Sequence, residues 1–421
     1  MSVSAEEHPP FRLPISFAEF VVMIAALMAI VALGIDAMLP ALPHIGEALG
    51  VADKNARQWI ITAYLLGFGG AHIFYGPLAD RFGRKAVMLW TVGGYAVFSV
   101  LAAASADFSV LLAARAAQGI AGAATRVVAI SIVRDCFVGR RMARVMSLAS
   151  MVFMAVPILA PGIGTLILMV GDWRWIFGLL ALYTGGVFAW ALFRLPETLA
   201  LDQRQPLRAD AILKAIAHVL TQRDSIGYTL AQAVMLGGLF GFINSAQQIF
   251  FDIFHAPKLF PIVFAFAASA VMVTSLLNAR IVMRYGMRRV SHAATIGFLA
   301  AAAVHMAFLL AGIENIVVFA LLQAVTMGCF GLAMGNFGAM SMEPLGEIAG
   351  TGAAVQGLIT IVAGTLLGFA IGQCFNGTTM PLVLGYLLSG FATLAIVFVT
   401  ERGRLFRPHA HGADAQEFAM H

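Results

Sequence analysis

The chain has 421 residues, of which 61% are hydrophobic and 11% charged, with a mean hydropathy of +0.89. A soluble domain carries about 25% charged residues, so no soluble fold of this length could hide so much apolar side chain from water. Soluble enzymes, nucleic-acid binders and disordered scaffolds are thereby excluded, and a multi-span membrane protein remains.

A hydrocarbon core about 30 Å thick takes roughly 20 apolar residues per helix. Twelve such runs are predicted, near 17–39, 57–76, 86–105, 108–132, 145–170, 175–194, 225–250, 260–282, 291–311, 314–340, 350–374 and 378–399. The first is not a signal peptide, because it is too long for an apolar signal core and Glu6 and Glu7 precede it. The one sizeable polar stretch, 195–224, divides the chain six plus six. Its middle, from Asp210 to Leu220, has helical apolar spacing and predicts a short amphipathic helix on the membrane surface. The segments are a 1–16 terminus, a 17–194 six-helix unit, the 195–224 loop, a 225–399 six-helix unit and a 400–421 tail.

With the N-terminus in the cytoplasm, twenty Lys and Arg residues fall on the cytoplasmic side. Four (Lys54, Arg57, Arg174, Lys258) fall outside, and Arg115 and Arg126 lie within a span. That bias predicts both termini in the cytoplasm. Cys136, Cys329 and Cys374 are too far apart in the chain to suggest a disulfide framework or a metal cluster.

The chain repeats itself. The loop after the second run, Gly76-Pro-Leu-Ala-Asp-Arg-Phe-Gly-Arg-Lys85, is echoed by Ala279-Arg-Ile-Val-Met-Arg-Tyr-Gly-Met-Arg288 after the eighth. Arg81, Gly83 and Lys85 align with Arg284, Gly286 and Arg288. Parallel six-span repeats with a substrate site between them are one way of building transporters. A basic cluster after a span ordinarily only sets topology. The ordered string with Asp80 among Arg81, Arg84 and Lys85 points beyond that.

With this string the chain resembles the major facilitator superfamily. Arg115-Ala-Ala-Gln-Gly-Ile-Ala-Gly122 is similar to the arginine motif of its proton-coupled members. Pro157-Ile-Leu-Ala-Pro-Gly-Ile-Gly164 is similar to the exporter motif, through Pro157, Pro161, Gly162 and Gly164. Five further segments resemble the Bcr/CflA drug-resistance subfamily. They are Asp36 to Pro43, Trp59 to Gly67 (which includes Tyr64), Val133-Arg-Asp135, Asp172 to Phe177 and Leu195-Pro-Glu-Thr-Leu199. The sequence departs from the pattern at His72, at Gln247-Gln248 and at Arg126. The resemblance implies an all-α membrane protein with twelve transmembrane helices in two pseudo-symmetric six-helix bundles. It also implies that Asp80 lies near the start of the eleventh span, around Gly350, where a helix N-terminus favours an anion. Arg84 would then reach Asp135, and these contacts would latch the cytoplasmic side and stabilise an outward-open state.

Ionisable groups inside spans cost at least about 2.5–3.5 kcal/mol at mid-bilayer, and Asp36, Arg115 and Arg126 are the clear cases. Asp36 and Arg115 lie about 9 and 12 Å from the outer ends of their spans. The similar depths are expected to place both in one central cavity as a proton and substrate site. Alternatively, Asp36 snorkels outward and Arg115 makes a structural ion pair. Arg126, eleven residues beyond Arg115 on the same helix face, either snorkels or meets Glu19. Tyr64, Gln232, Asn244, Gln247, Gln248, Gln323, Asn336 and Gln356 are candidate cavity lining or interhelical hydrogen-bonding residues. His72 and His305 are read as packing residues.

The expected function is proton-coupled export of small amphipathic drugs, phenicol-like or bicyclic, across the bacterial inner membrane. It would proceed by alternating access in a monomer whose partners are the small molecule, protons and the lipid bilayer. It is not expected to be an enzyme or to bind nucleic acid, and it would need no cofactor beyond the proton gradient; no nucleotide-binding loop is present. An exporter of a sugar, amino acid or siderophore on the same scaffold is the alternative, and a channel or sensor a further one. An apolar, Phe- and Met-rich cavity would favour drugs, and paired charges would favour metabolites.

Overall fold

The computed structural model describes residues 14–206 and 209–406. Arg12, Arg208, Arg407, most of the 1–16 terminus and most of the 400–421 tail lie outside the described residues.

Twelve long helices follow one another: α1 (Phe17–Asp36), α2 (Trp59–Phe82), α3 (Arg84–Ala104), α4 (Phe108–Cys136), α5 (Gly139–Val170), α6 (Arg174–Arg194), α7 (Arg223–Gln248), α8 (Phe260–Tyr285), α9 (Met287–Leu310), α10 (Ile316–Met342), α11 (Ala349–Gln373) and α12 (Met380–Thr400). A short helix, Leu42–Ala48, follows α1, and the amphipathic segment of the central loop forms the helix Ala209–Thr221. Local signals start the helices. The Ser16 side chain accepts the Glu19 amide at the head of α1, and Asn315 caps α10 in the same way. Asp107 caps α4. Hydrogen bonds from the Ser109 hydroxyl and the Val110 and Ser109 amides hold its carboxyl below the ordinary range.

Among the described residues, eleven helical segments have the length and apolarity to cross a membrane. The remaining long helix, α2, spans 24 residues. Its apolarity is diluted by four glycines, Tyr64, Tyr75 and His72. The dilution has a packing reason: α2 lies against both α4 and α11, so much of its surface meets protein rather than lipid.

Within the first half, α2 packs on α4, α3 on α4 and α6, and α1 on α5. Within the second, α7 packs on α11 and α12, and α10 on α8 and α9. The halves meet along two seams, α2 against α11 and α5 against α8. One end of the molecule is rich in arginine and holds the start of α1 and the end of α12. There the turns between α2 and α3 and between α8 and α9 are glycines in the left-handed region, Gly83 at φ 99° and Gly286 at φ 80°. A side chain at either position would be strained.

Candidate functional site

A cavity of about 520 Å³ lies between the halves at mid-helix depth, with walls from α1, α2, α4, α5, α7, α8, α10 and α11. Its walls are mostly Phe, Met, Leu, Ile, Val and Ala, with Phe153, Phe240, Phe264, Met272 and Met327 among them. Asp36, Arg126, Ser275 and Asn278 supply the polar groups. Asp36 is 4% exposed at the last turn of α1. Among the described residues it makes no ion pair.

Arg115 does not share this space. It is fully buried, stacked on the Tyr64 ring with its guanidinium carbon 4.3 Å from the centroid. Its Nη2 donates to Gly34 O at 2.9 Å, Nε to Ile60 O at 3.3 Å and Nη1 to Gln118 Oε1 at 2.8 Å. Gln118 in turn donates to Ser99 at 2.7 Å. The expected Asp36–Arg115 pairing is thus replaced by a tie of α4 to α1 and α2, and the tie ends two residues before Asp36. It is Arg126 that lines the cavity with Asp36, and it is an exposed residue. Glu19 does not meet Arg126. Glu19 takes two 2.7 Å hydrogen bonds from Arg194, because both residues sit at the arginine-rich ends of their helices.

None of the uncharged polar candidates is among the cavity-lining residues, and most take the other role open to them, a hydrogen bond to another helix. Gln356 donates to Gln232 Oε1 at 3.0 Å and also to Ser341. Asn336 donates to Asn278 Oδ1 at 2.9 Å. Gln323 and Tyr386 exchange bonds of 2.8 and 3.0 Å. Asn244 donates back to Phe240 O. Tyr64 carries Arg115, and Gln247 is buried. The need of an amide for a partner at membrane depth draws Gln232, Gln356, Asn336 and Gln323 to other polar groups and Asn244 to its own helix.

Gln248 belongs to a seal at the arginine-poor end. It accepts from Gln58 at 2.7 Å and donates to Asn55 at 2.7 Å. Gln58 also donates to Gly372 O, Gln373 to Asn55 O at 2.8 Å, and Lys54 pairs with Asp252 at 3.1 Å. These contacts join the two halves, and the described polar contacts between α1–α6 and α7–α12 gather here. Sequence reasoning missed Asn55, Gln58 and Gln373. They look like ordinary loop and helix-end residues until their partners, some 190 to 320 positions away, are placed beside them.

At the arginine-rich end, Arg84 lies 2.6 Å from Asp80 and 3.1 Å from Asp135. Its amide donates to Glu197 Oε1 at 2.9 Å, and Thr198 donates to Asp135 at 3.0 Å. A Cβ on Gly83 would come within 2.3 Å of Glu197. Arg81 stacks on Phe82, and Gly76 has open space beside it. The described partner of the Asp80 carboxylate is therefore Arg84, on the next helix, and not the start of α11. Near Gly350 the close side chain is Arg134. The cluster ties parts of the first half together. Glu197 and Thr198, quoted above only as part of a motif, are members of it.

The second half repeats the arrangement. Arg288 binds Glu401 at 2.8 Å and Glu343 at 3.2 Å, and Tyr228 donates to Glu401. The partner of Arg288 in the repeat is therefore Arg84, and the alignment with Lys85 shifts by one residue because Met287 intervenes after Gly286. In the exporter motif, Pro157 lines the cavity and Pro161 is buried. Gly162 has open space, and a Cβ on Gly164 would come within 1.9 Å of Ala37 O. Gly164 therefore lets α5 approach the end of α1 beside Asp36. His72 bonds Phe68 O at 3.0 Å and packs on Gly357, while His305 meets Glu314 at 2.8 Å.

Known proteins agree with this architecture. The chain is 28% identical over 389 residues to a chloramphenicol resistance protein of Pseudomonas aeruginosa, covering 91% of this chain and 88% of that one. It is 27% identical over 391 residues to a bicyclomycin resistance protein homolog of Haemophilus influenzae, covering 91% and 96%. The crystal structure of a D-xylose-proton symporter superposes with a TM-score of 0.73 at 13% identity, covering 93% of this chain and 99% of that one. The Major Facilitator Superfamily pattern matches residues 24–372. With its helical fold, its apolar spans and its repeated arginine turns, the chain is a membrane transporter of the Major Facilitator Superfamily, resembling the Bcr/CflA drug transporters and not an enzyme.

Proposed function

We propose that this transporter exports small amphipathic drugs in exchange for protons across the bacterial inner membrane. Both termini would be cytoplasmic, and α1–α12 would form twelve spans in two six-helix bundles that rock as a monomer. The observation that carries this reading is the cavity: its walls are Phe- and Met-rich, and its one acid, Asp36, makes no ion pair among the described residues. Apolar walls with few placed polar groups suit a drug-sized apolar body, and methionine adapts to varied shapes. The phenicol and bicyclic antibiotics named for the relatives are the first compounds to try.

The seal at Asn55, Gln58, Gln248 and Gln373 corresponds to a closed outer side, so this arrangement is read as inward-open. Asp36 would give up its proton when drug binds and regain one from outside. The Arg84 cluster would meet α11 when the inner side closes. Arg115 would hold α1 in place at the level of Asp36. The test is expression in an efflux-deficient host against an antibiotic panel, with and without an uncoupler. Resistance that rises several-fold and disappears with the uncoupler is expected. Unchanged susceptibility, or resistance indifferent to the uncoupler, would refute the reading.

A further inference from the structure

The proposed drug cavity contains a cation, Arg126, that no described residue neutralises. Arg126 is exposed to the cavity and, among the described residues, makes no ion pair. The Phe153 ring lies 5.8 Å from its guanidinium carbon, and the His72 imidazole is within electrostatic reach. Asp36, also without an ion pair, stands at another level. Arg115 reaches Gly34 near Asp36, and Arg126 is eleven residues further along α4, roughly 16 Å of helix rise. Phe and Met side chains occupy the wall between the two charges.

We propose that the site is built for an amphipathic zwitterion. Its acidic group would sit on Arg126, its basic group at Asp36, and its apolar body against the aromatic wall. The proposal rests on the export reading above and narrows its substrate class. Water in the open cavity solvates both charges. Closure expels that water, and an unpaired charge in apolar surroundings is then costly. Asp36 has two remedies, a proton or a cationic group. Arginine cannot deprotonate in a protein, so Arg126 depends on an anion, and its planar fork matches a carboxylate through two parallel hydrogen bonds. A cationic drug leaves Arg126 unpaired on closure, and an anionic one leaves Asp36 unpaired or protonated. A zwitterion neutralises both and displaces the proton from Asp36, as exchange requires.

The test uses a rigid probe, biphenyl carrying an aminomethyl group at one end and a carboxylate at the other. Its methyl ester is a cation and its N-acetyl derivative an anion. Equilibrium binding of each tritiated compound is measured on purified full-length protein. The wild type is expected to bind the zwitterion about tenfold or more tightly than either derivative. Arg126→Ala should bring the ratio over the ester to about one, and Arg126→Lys should keep part of it. Asp36→Asn should instead abolish the ratio over the N-acetyl compound. A wild-type ratio over the ester in Arg126→Ala, in protein that elutes as a single folded species, overturns the proposal. So does a wild type that binds the three compounds alike, or none of them. If the ratios hold but no drug is exported in an uncoupler-sensitive way, the export reading fails and the zwitterion site stands.

Discussion

Two buried side chains on the first-half helices divide the work that a single ion pair would have done. Asp36 faces the cavity at 4% exposure and is the acid there that can exchange a proton. Asp36→Asn keeps the volume and removes the titration, so it should abolish uncoupler-sensitive drug export while leaving membrane expression intact. Vesicle transport with expression matched by immunoblot checks this; proton-driven export by the variant would remove Asp36 from the mechanism. Arg115 acts differently. Three of its donors reach two main-chain carbonyls and Gln118 on different helices, a geometry that one ammonium cannot copy. Arg115→Lys should therefore cost about 1–3 kcal/mol through unsatisfied buried acceptors and lose transport with it. Melting in detergent is the measurement, and a wild-type melting curve together with wild-type transport would reduce Arg115 to a generic positive charge.

The unit at the next scale is a turn followed by a helix start, used twice. A left-handed glycine ends one helix, and an arginine in the first turn of the next reaches acids on two other segments. Arg84 meets Asp135 and Arg288 meets Glu343, each at the end of the second helix after the turn. Glu197 and Glu401 follow the last helix of each half. Because Arg84 and Asp135 form one network with Thr198 and Glu197, single losses should not add. Arg84→Ala and Asp135→Ala should each cripple transport, and the double variant should be little worse than either. The coupling is expected to be about 0.5–3 kcal/mol. Additive losses in a transport-rate double-mutant cycle would show that the two residues act separately.

For the whole molecule, the amide contacts where the halves touch hold the arginine-poor end together, and under the export reading they would set how readily that end opens. Gln248 makes two of the hydrogen bonds of the seal at the arginine-poor end. Gln248→Leu keeps the bulk and removes both. The population should shift towards opening at the arginine-poor end by roughly 1–2 kcal/mol, or about 5–30-fold. Spin labels at Glu47→Cys and Lys258→Cys, in a background where Cys374 is replaced by Ser, report the distance across that end. An unchanged distance distribution would mean that apolar packing, and not the amide network, holds the seal.

The helices, their order, the charge asymmetry between the two ends and the doubled glycine–arginine turn were legible in the sequence. Each is a local property: apolar length, a cap, or a residue that tolerates positive φ. Membership of a transporter family and the Arg84–Asp135 contact could also be read from motifs. Which arginine joins Asp36 in the cavity could not. Arg115 and Arg126 share one face of α4 by helical phase. Yet α1 and α2 close over the first with carbonyl acceptors, and the second opens onto space bounded by Phe153 of α5. Phase along a helix follows from the chain alone, but the neighbour at each depth comes from segments far away in sequence. For the same reason Gln248 and Gln356 read alike as polar residues on apolar helices. Only tertiary packing made the first a clasp between halves and the second an internal tie, because a buried amide goes wherever a partner is within hydrogen-bond reach.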